Sequence, residues 1–334
     1  MKKEIAVIIL NWNGRKLLKE FLLSVSAYTP ETLADVIVAD NGSTDDSVDF
    51  IINNYPEVKL LRFSENLGFA EGYNRAIASV AADYTYTILL NSDVAVKDDW
   101  VTPLYDFISS HPKAVAVQPK IMSYSEPEKF EYAGAAGGFI DCNGYPYCRG
   151  RIFSTVETDK GQYNEPIRIF WASGAALMVR NDAYLRAGGL DKDFFAHMEE
   201  IDLCWRLQLN GGQIWCVPAS KVYHLGGGSL PAGNPRKTYL NFRNNLLMLY
   251  KNLPDSVRTG RLLKRRLLDT VAFLKFAATL DFDNARAIWR AHRDFARMRK
   301  QYTAHPQVDL MTDDVDILTE YYLHGHTTYS SLGK

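Results

Sequence analysis

Residues 88–94, Ile-Leu-Leu-Asn-Ser-Asp-Val, drive a short apolar run into a polar tip. Three aliphatic residues in succession suit a strand buried on both faces, so Asn91, Ser92 and Asp93 fall where that strand leaves its sheet. In open α/β sheets ligands sit in the crevice outside the carboxyl ends of the strands. A carboxylate delivered there can meet a diphosphate and its metal, which makes Asp93 the first metal-ligand candidate; turn chemistry closing a strand explains the same letters. A second cluster lies further on, where Glu199, Glu200 and Asp202 crowd the expected first turn of a helix running through Leu203, Trp205, Arg206 and Leu209. Acids there suit the helix dipole, and Asp202 can pair with Arg206 one turn on. Carboxylates so closely spaced also repel, so a partly buried one should hold its proton to higher pH, the property of a general base for a hydroxyl. His224 ends a β-rich run and precedes Leu-Gly-Gly-Gly-Ser, whose glycines could let the loop close over a ligand. A lone histidine at such a place serves structure as readily as chemistry.

These groups need a scaffold that brings strand tips together. Residues 5–10, 36–39, 58–63, 88–90 and 115–118 are short β-rich runs separated by helix-like segments, a pattern that predicts a right-handed βαβ series and a mainly parallel sheet. The first turn, Asn11-Trp12-Asn13-Gly14-Arg15-Lys16, carries one glycine where a dinucleotide fold would show Gly-x-Gly-x-x-Gly. Backbone amides alone therefore cannot cradle a pyrophosphate there, and a bound diphosphate needs a cation. Asp40-Asn41-Gly42-Ser43-Thr44-Asp45 follows the second run: Ser43 with Asp46 at its third position approaches a capping box, while Asp40 at a strand tip could equally accept a hydrogen bond from a nucleobase edge. Residues 123–168 are rich in glycine and tyrosine and read as loops or short hairpins. Residues 170–180 read as a small-residue turn entering a strand. Arg236, Lys237 and Arg243 follow the glycine loop, and Arg243 is expected to engage diphosphate oxygens, since a guanidinium does so in bidentate fashion.

Seven motifs in one order carry a resemblance: Asn-x-Asn-Gly after the first run, Val-Ala-Asp-Asn-Gly-Ser-Thr-Asp, Glu-Asn-Leu-Gly-Phe-Ala-x-Gly-Tyr-Asn, Leu-Leu-Asn-Ser-Asp, Ser-Gly-Ala-Ala-Leu-Met-Val-Arg, Phe-Phe-x-x-x-Glu-Glu-Ile-Asp-Leu-Cys-Trp-Arg and His-Leu-Gly-Gly-Gly-Ser. Over residues 5–250 the chain resembles the family 2 inverting glycosyltransferases of the GT-A fold, near the rhamnosyltransferase-like members that build bacterial surface polysaccharides. The resemblance implies an α/β fold with a Rossmann-like, mainly parallel sheet flanked by helices. It divides the chain into a catalytic domain at 1–250, with a nucleotide-binding half at 1–120 and an acceptor and catalytic half at 121–250, followed by a helical basic region at 251–334. It also implies a nucleoside-diphosphate-sugar donor, dTDP- or UDP-linked, with Asp40 on the base and Asn13, Asn74, Asn91 and Ser92 around the donor. Asp93 and His224 would hold Mn²⁺ or Mg²⁺, and Trp171, Ser173 and Gly174 would line the sugar or acceptor pocket. Glu200 stands where the family has its base, with Glu199 as the alternative. Asn91 replaces the first acid of the family's Asp-x-Asp motif, which removes one charge from the metal site and leaves Asp93 to hold the cation. The acceptor would be a glycan or a lipid-linked sugar.

A near-balanced net charge of −1 removes any global case for nucleic acid. The opening Lys2-Lys3 and residues 5–10 mimic a signal peptide, but the apolar run stops at Asn11, which reads as a first strand of a cytoplasmic protein. Cys142, Cys148, Cys204 and Cys216 lack Cys-x-x-Cys spacing and fit structural thiols. From 255 to 300 twelve Lys and Arg face five Asp and Glu, interleaved with apolar residues at helical spacing. Such a helix either lies on an anionic bilayer, at the inner face of the plasma membrane, or packs on the catalytic domain with a solvated basic face; the first reading is the one adopted. The tail beyond 301 turns acidic and is expected to fray. Two rival functions stand beside the transferase: a sugar nucleotidylyltransferase, which should show a Gly- and Arg-bearing loop after the first strand, and a non-catalytic nucleotide-sugar-binding scaffold at the membrane.

Overall fold

The computed structural model describes residues 3–226 and 233–334. All five apolar runs form strands: β1 (Ile5–Asn11), β2 (Ala34–Asn41), β3 (Lys59–Phe63), β4 (Tyr86–Leu90) and, after the two-residue β5 (Val94–Ala95), β6 (Ala114–Ser123). Between them run α1 (Arg15–Tyr28), α2 (Ser47–Asn54), α3 (Gly68–Val80) and α4 (Thr102–Ser110). The central strands are apolar on both faces because helices cover both, and every residue of β4 is buried.

Residues 138–156 fold into a small antiparallel sheet of β7 (Gly138–Ile140), β8 (Pro146–Cys148), β9 (Arg151–Ile152) and β10 (Thr155–Val156), in keeping with the hairpins expected there. The chain then returns through β11 (Ile167–Ile169) and β12 (Ala176–Arg180), passes α5 (Asn181–Arg186) and α6 (Glu199–Leu209), and enters β13 (Gln213–His224). Across the main sheet the order is β11-β13-β6-β12-β4-β1-β2-β3, with β5 on β13. β4, β1, β2 and β3 are mutually parallel, whereas β12 runs antiparallel between β4 and β6. That reversal is what lets the turn before β12 arrive at the same edge as the tip of β4.

The helices α7 (Pro235–Asn252), α8 (Asp255–Ala278), α9 (Phe282–Met298) and α10 (Ile317–Tyr322) complete the described chain. Leu246, Leu249, Phe295, Met311, Ile317 and Tyr329 join the same apolar cluster as Ala6, Ile8 and Leu89. The expectation of a frayed tail is corrected: Tyr147 donates its hydroxyl to Asp313 at 2.6 Å, the Ile317 amide donates to Asp141, and Tyr329 is buried. The acidic tail persists because its carboxylates and aromatic rings close over β7 and β8. The expected Ser43 cap is also corrected, since α2 begins at Ser47 and Ser43 Oγ instead accepts from the Asn13 amide at 2.9 Å. The four cysteines are free thiols, and no described helix is long and apolar enough to cross a membrane.

Candidate active site

Asp93 and His224 meet although they are 131 residues apart, at an Oδ1–Nε2 distance of 3.1 Å. The register explains the meeting: β5 starts one residue after Asp93, Val94 pairs with His224, and the Leu225 amide donates to the Asp93 carbonyl. Asn91 Nδ2 lies 3.3 Å from the same imidazole nitrogen. Behind the ring, Glu131 Oε1 stands 3.5 Å from Nδ1. Burial alone would lower the His224 pKa, but Asp93 and Glu131 outweigh it and carry it up to about 10. Burial raises the Asp93 carboxyl, yet its bond to the imidazole leaves it below the usual carboxylate value. The pocket thus calls for positive charge.

Two ligands of one octahedral cation, each about 2.1 Å from it and at right angles, stand about 3.0 Å apart. The Asp93–His224 separation fits that arrangement, and a carboxylate behind the far nitrogen is how metal-bound histidines are oriented. Glu131 was beyond sequence reasoning, because it sits in an aperiodic stretch far from every motif and meets His224 only through folding.

Glu199 and Glu200 open α6 after a tight loop in which Phe195, His197 and Met198 hold φ of 66°, 69° and 75°. Non-glycine residues persist in this region only when neighbours over-determine it. α7 does so: Asn244 Nδ2 lies within 2.7–2.8 Å of the carbonyl oxygens of Phe194, Ala196 and His197, and Arg243 Nη2 donates to those of Asp193 and Phe194. Arg243, expected at the diphosphate, is thus turned to the loop before α6, and it also lines a cavity with Phe195, Arg236 and Tyr239. The side chain is buried, and besides those carbonyls its Nε donates to Asn244 Oδ1. It positions the loop that aims the glutamates.

Glu199 is buried, and its Oε2 and that of Glu200 are buried atoms without a hydrogen-bond partner. Burial, and next the Glu200 charge, push the Glu199 pKa well up; burial also raises half-buried Glu200 to about 7 against opposing backbone N–H groups. Asp202 takes the opposite course. Fully buried, it is ion-paired to Arg206 and Lys251 and accepts from Asn252 at 2.7 Å, which outweighs burial and lowers its pKa. One acid of the cluster is thus structural, while two retain protons to higher pH. Gly174 lies against Glu200: a Cβ built at Gly174 would stand 3.8 Å from the Glu200 Cβ. The next residue, Ala175, accepts the Asn91 amide at 3.0 Å. Two consecutive residues thus touch the tip of β4 and the candidate base.

Other expected site residues make bonds within the protein. Asn74, expected at the donor, accepts at Oδ1 from Tyr184 and the Leu190 amide, and its Nδ2 donates to the Leu190 carbonyl, so α3 is tied to the chain beyond α5. Trp171 and Ser173, expected at the sugar pocket, are likewise bonded within the protein. Trp171 is buried, covers Gly138 and donates Nε1 to the Phe139 carbonyl; Ser173 is buried and donates Oγ to the Ala133 carbonyl. Asp40 is buried and accepts from Asn11 Nδ2 at 3.0 Å and the Ser43 amide at 3.1 Å. Asn13, at φ 50°, accepts from the Thr44 amide at 2.7 Å. Both brace the loops after β1 and β2. Ser92 remains half-buried at the β4 tip. Of the expected glycine loop, Gly227, Gly228 and Ser229 lie outside the described residues.

Comparison with known proteins gives the family and the fold. Residues 6–184 match the model of glycosyl transferase family 2. An N-acetylglucosaminyl-diphospho-decaprenol L-rhamnosyltransferase of Mycobacterium tuberculosis is 30% identical over 240 residues, covering 67% of this chain and 76% of that protein. Among solved structures, GalNAc-T7 with UDP, GalNAc and Mn²⁺ superposes with a TM-score of 0.59 at 19% identity, covering 75% of this chain and 48% of that one. Residues 1–349 of S. aureus TarS with UDP-GlcNAc give 0.54 at 14% identity, covering 87% and 92%. The chain belongs to glycosyltransferase family 2 and has the GT-A fold, with rhamnosyltransferases among its relatives.

Proposed function

We propose that the chain transfers a hexose, rhamnose in the first instance, from a dTDP- or UDP-sugar to a glycan or lipid-linked acceptor in surface polysaccharide synthesis, with inversion. The observation that carries this reading is the adjacency of Gly174 and Ala175, which sets the Asp93–His224 edge and Glu200 on either side of one turn. A raised pKa near 7 lets Glu200 exist as a base at neutral pH and hold the proton it takes. The Mycobacterium tuberculosis relative supports a rhamnosyl donor and a lipid-diphosphate acceptor.

Glu200 accepts the proton of the acceptor hydroxyl. The freed oxygen attacks the anomeric carbon from the face opposite the diphosphate, the bond from that carbon to the diphosphate oxygen breaks, and its electron pair leaves with the nucleoside diphosphate. Charge spreads as in an oxocarbenium-like transition state, and one displacement without a covalent intermediate inverts the centre. Asp93 and His224 would hold a divalent cation, Mn²⁺ or Mg²⁺, whose chemistry there is Lewis-acid neutralisation of the leaving diphosphate. An imidazole in the donor set leans toward Mn²⁺. Asn13 and Asp40 fix the loops over which the nucleoside would lie, at the tips of β1 and β2. We place the work at the cytoplasmic face of the membrane, within a catalytic domain at 1–250 carrying the helical region 251–334.

Incubation with dTDP- and UDP-sugars and candidate acceptors, with and without Mn²⁺, tests the reading by the product released. Nucleoside diphosphate, dependent on acceptor and cation, is the expected result. Pyrophosphate would instead identify a nucleotidylyltransferase, and nucleotide binding without turnover on any acceptor would identify a scaffold.

A further inference from the structure

α8 carries two opposed faces. Inward, Arg265 and Asp269 are buried and paired at 3.0 Å, with Asn245 and His292 completing the network. Outward, Leu263, Leu267, Val271 and Leu274 are 61, 64, 65 and 58% exposed. At 3.6 residues per turn these four, with exposed Ala278, fall within about 80° of one another. Exposed Arg266 borders that stripe on one side, and Lys264 and Lys275 border it on the other. Leu280 and Phe282, in the turn to α9, are 74 and 63% exposed. Scattered surface apolar residues need no account, but a contiguous row does.

The surrounding charge says what covers it. Of the five acids between 255 and 300, Asp269 and Asp294 are buried, Asp255 is ion-paired to Arg258 and Asp281 accepts from Asn284 at the start of α9, which leaves Asp283 exposed beside Phe282. Lys264 lies 3.8 Å from Asp316, so Arg266 and Lys275 carry the cationic excess along the stripe. A second copy meeting this stripe face to face would bring Arg266, Lys264 and Lys275 against their like, whereas a layer of anionic headgroups complements them. A cleft of about 900 Å³ between α8 and α9 shares Leu263 and Arg266 with the stripe and adds Trp289, Arg293 and Lys300, an indole beside cations, the side chains that suit a layer of headgroup phosphates. We propose that the outward face of α8 is a docking surface for an anionic lipid bilayer, on which the chain lies without spanning it. The proposal does not depend on which sugar or acceptor the enzyme uses.

Flotation of the full chain with phosphatidylcholine vesicles, with and without phosphatidylglycerol, tests this. The expected result is binding to the anionic vesicles alone, weakened by salt and lowered about tenfold or more in Leu267→Glu/Leu274→Glu, with transfer to a water-soluble acceptor unchanged. Both positions are exposed, so circular dichroism and melting should match wild type. Binding equal to neutral and anionic vesicles, or anionic binding that survives the double substitution, would overturn the proposal. So would a dimer in sedimentation that the double substitution dissociates, with no flotation at all, since a second copy would then own the face.

Discussion

Replacing Asn244 by Ala offers a direct test of how the candidate base is held. The Asn244 amide is fully buried and has two hydrogens for the three carbonyl oxygens of Phe194, Ala196 and His197. Truncation removes about three net hydrogen bonds, two from the amide hydrogens and one accepted from Arg243 Nε, each worth about 1 kcal/mol, and strands polar groups in a dry site at about 1–3 kcal/mol in all. The loss of stability should be about 4–6 kcal/mol if the loop stays put. It should be less if Phe195, His197 and Met198 relax from their positive φ, since each such residue stores about 1–3 kcal/mol. Relaxation would return stability at the expense of aim. Denaturant melts together with kinetics therefore read one ledger: a small stability loss must come with a large fall in kcat, and a large stability loss with a modest one. Asn244→Asp separates the two sides of the amide, because the new carboxylate still offers Arg243 Nε an acceptor but has no donor for the three carbonyl oxygens. It should therefore lose the loop contacts while keeping the Arg243 one. Wild-type stability together with wild-type kcat in Asn244→Ala would refute the reasoning.

Glu200→Gln should keep nucleotide binding by calorimetry and lose transfer by at least about a hundredfold; unchanged transfer removes Glu200 from the chemistry. Because burial favours its protonated form, Glu200 must first lose a proton, so kcat/KM should rise with pH through about 7. The same shift, with a folded pKa above the unfolded value of about 4.3, subtracts stability as pH rises, and Gln at this position should remove both trends. Asp93→Asn should abolish the Mn²⁺-dependent part of the thermal shift given by the nucleoside diphosphate, while leaving any cation-independent part. Glu131→Gln, which keeps shape but weakens the hold on His224 Nδ1, should raise the Mn²⁺ concentration needed for half-maximal stabilisation by about 10–100-fold.

The strands were legible because a run such as Ile5 to Leu10 has few places to go but the middle of a sheet, and strand-tip logic then led to Asp93. His224 and Glu200 were found through motif order, and the meeting of His224 with Asp93 follows from β5–β13 pairing that no local pattern announces. The expected site residues found bonded within the protein share a feature. Asn74, Ser173 and Arg243 have side chains whose hydrogen-bonding groups suit a sugar nucleotide and a backbone carbonyl equally well, and the sequence does not say which of the two is nearer. Trp171 is ambiguous in the same way, since an indole covers a glycine as well as it covers a pyranose. Glu131 and Asn244 escaped because their partners lie 93 and about 50 residues away in sequence.

The antiparallel course of β12 has a further consequence. With Gly174 against Glu200 and Ala175 bonded to Asn91, insertion or deletion of a single residue in that turn would displace Glu200 and the Asp93–His224 pair relative to each other. Diversification toward new acceptors is thereby pushed out to parts of the fold that can change length without disturbing this alignment.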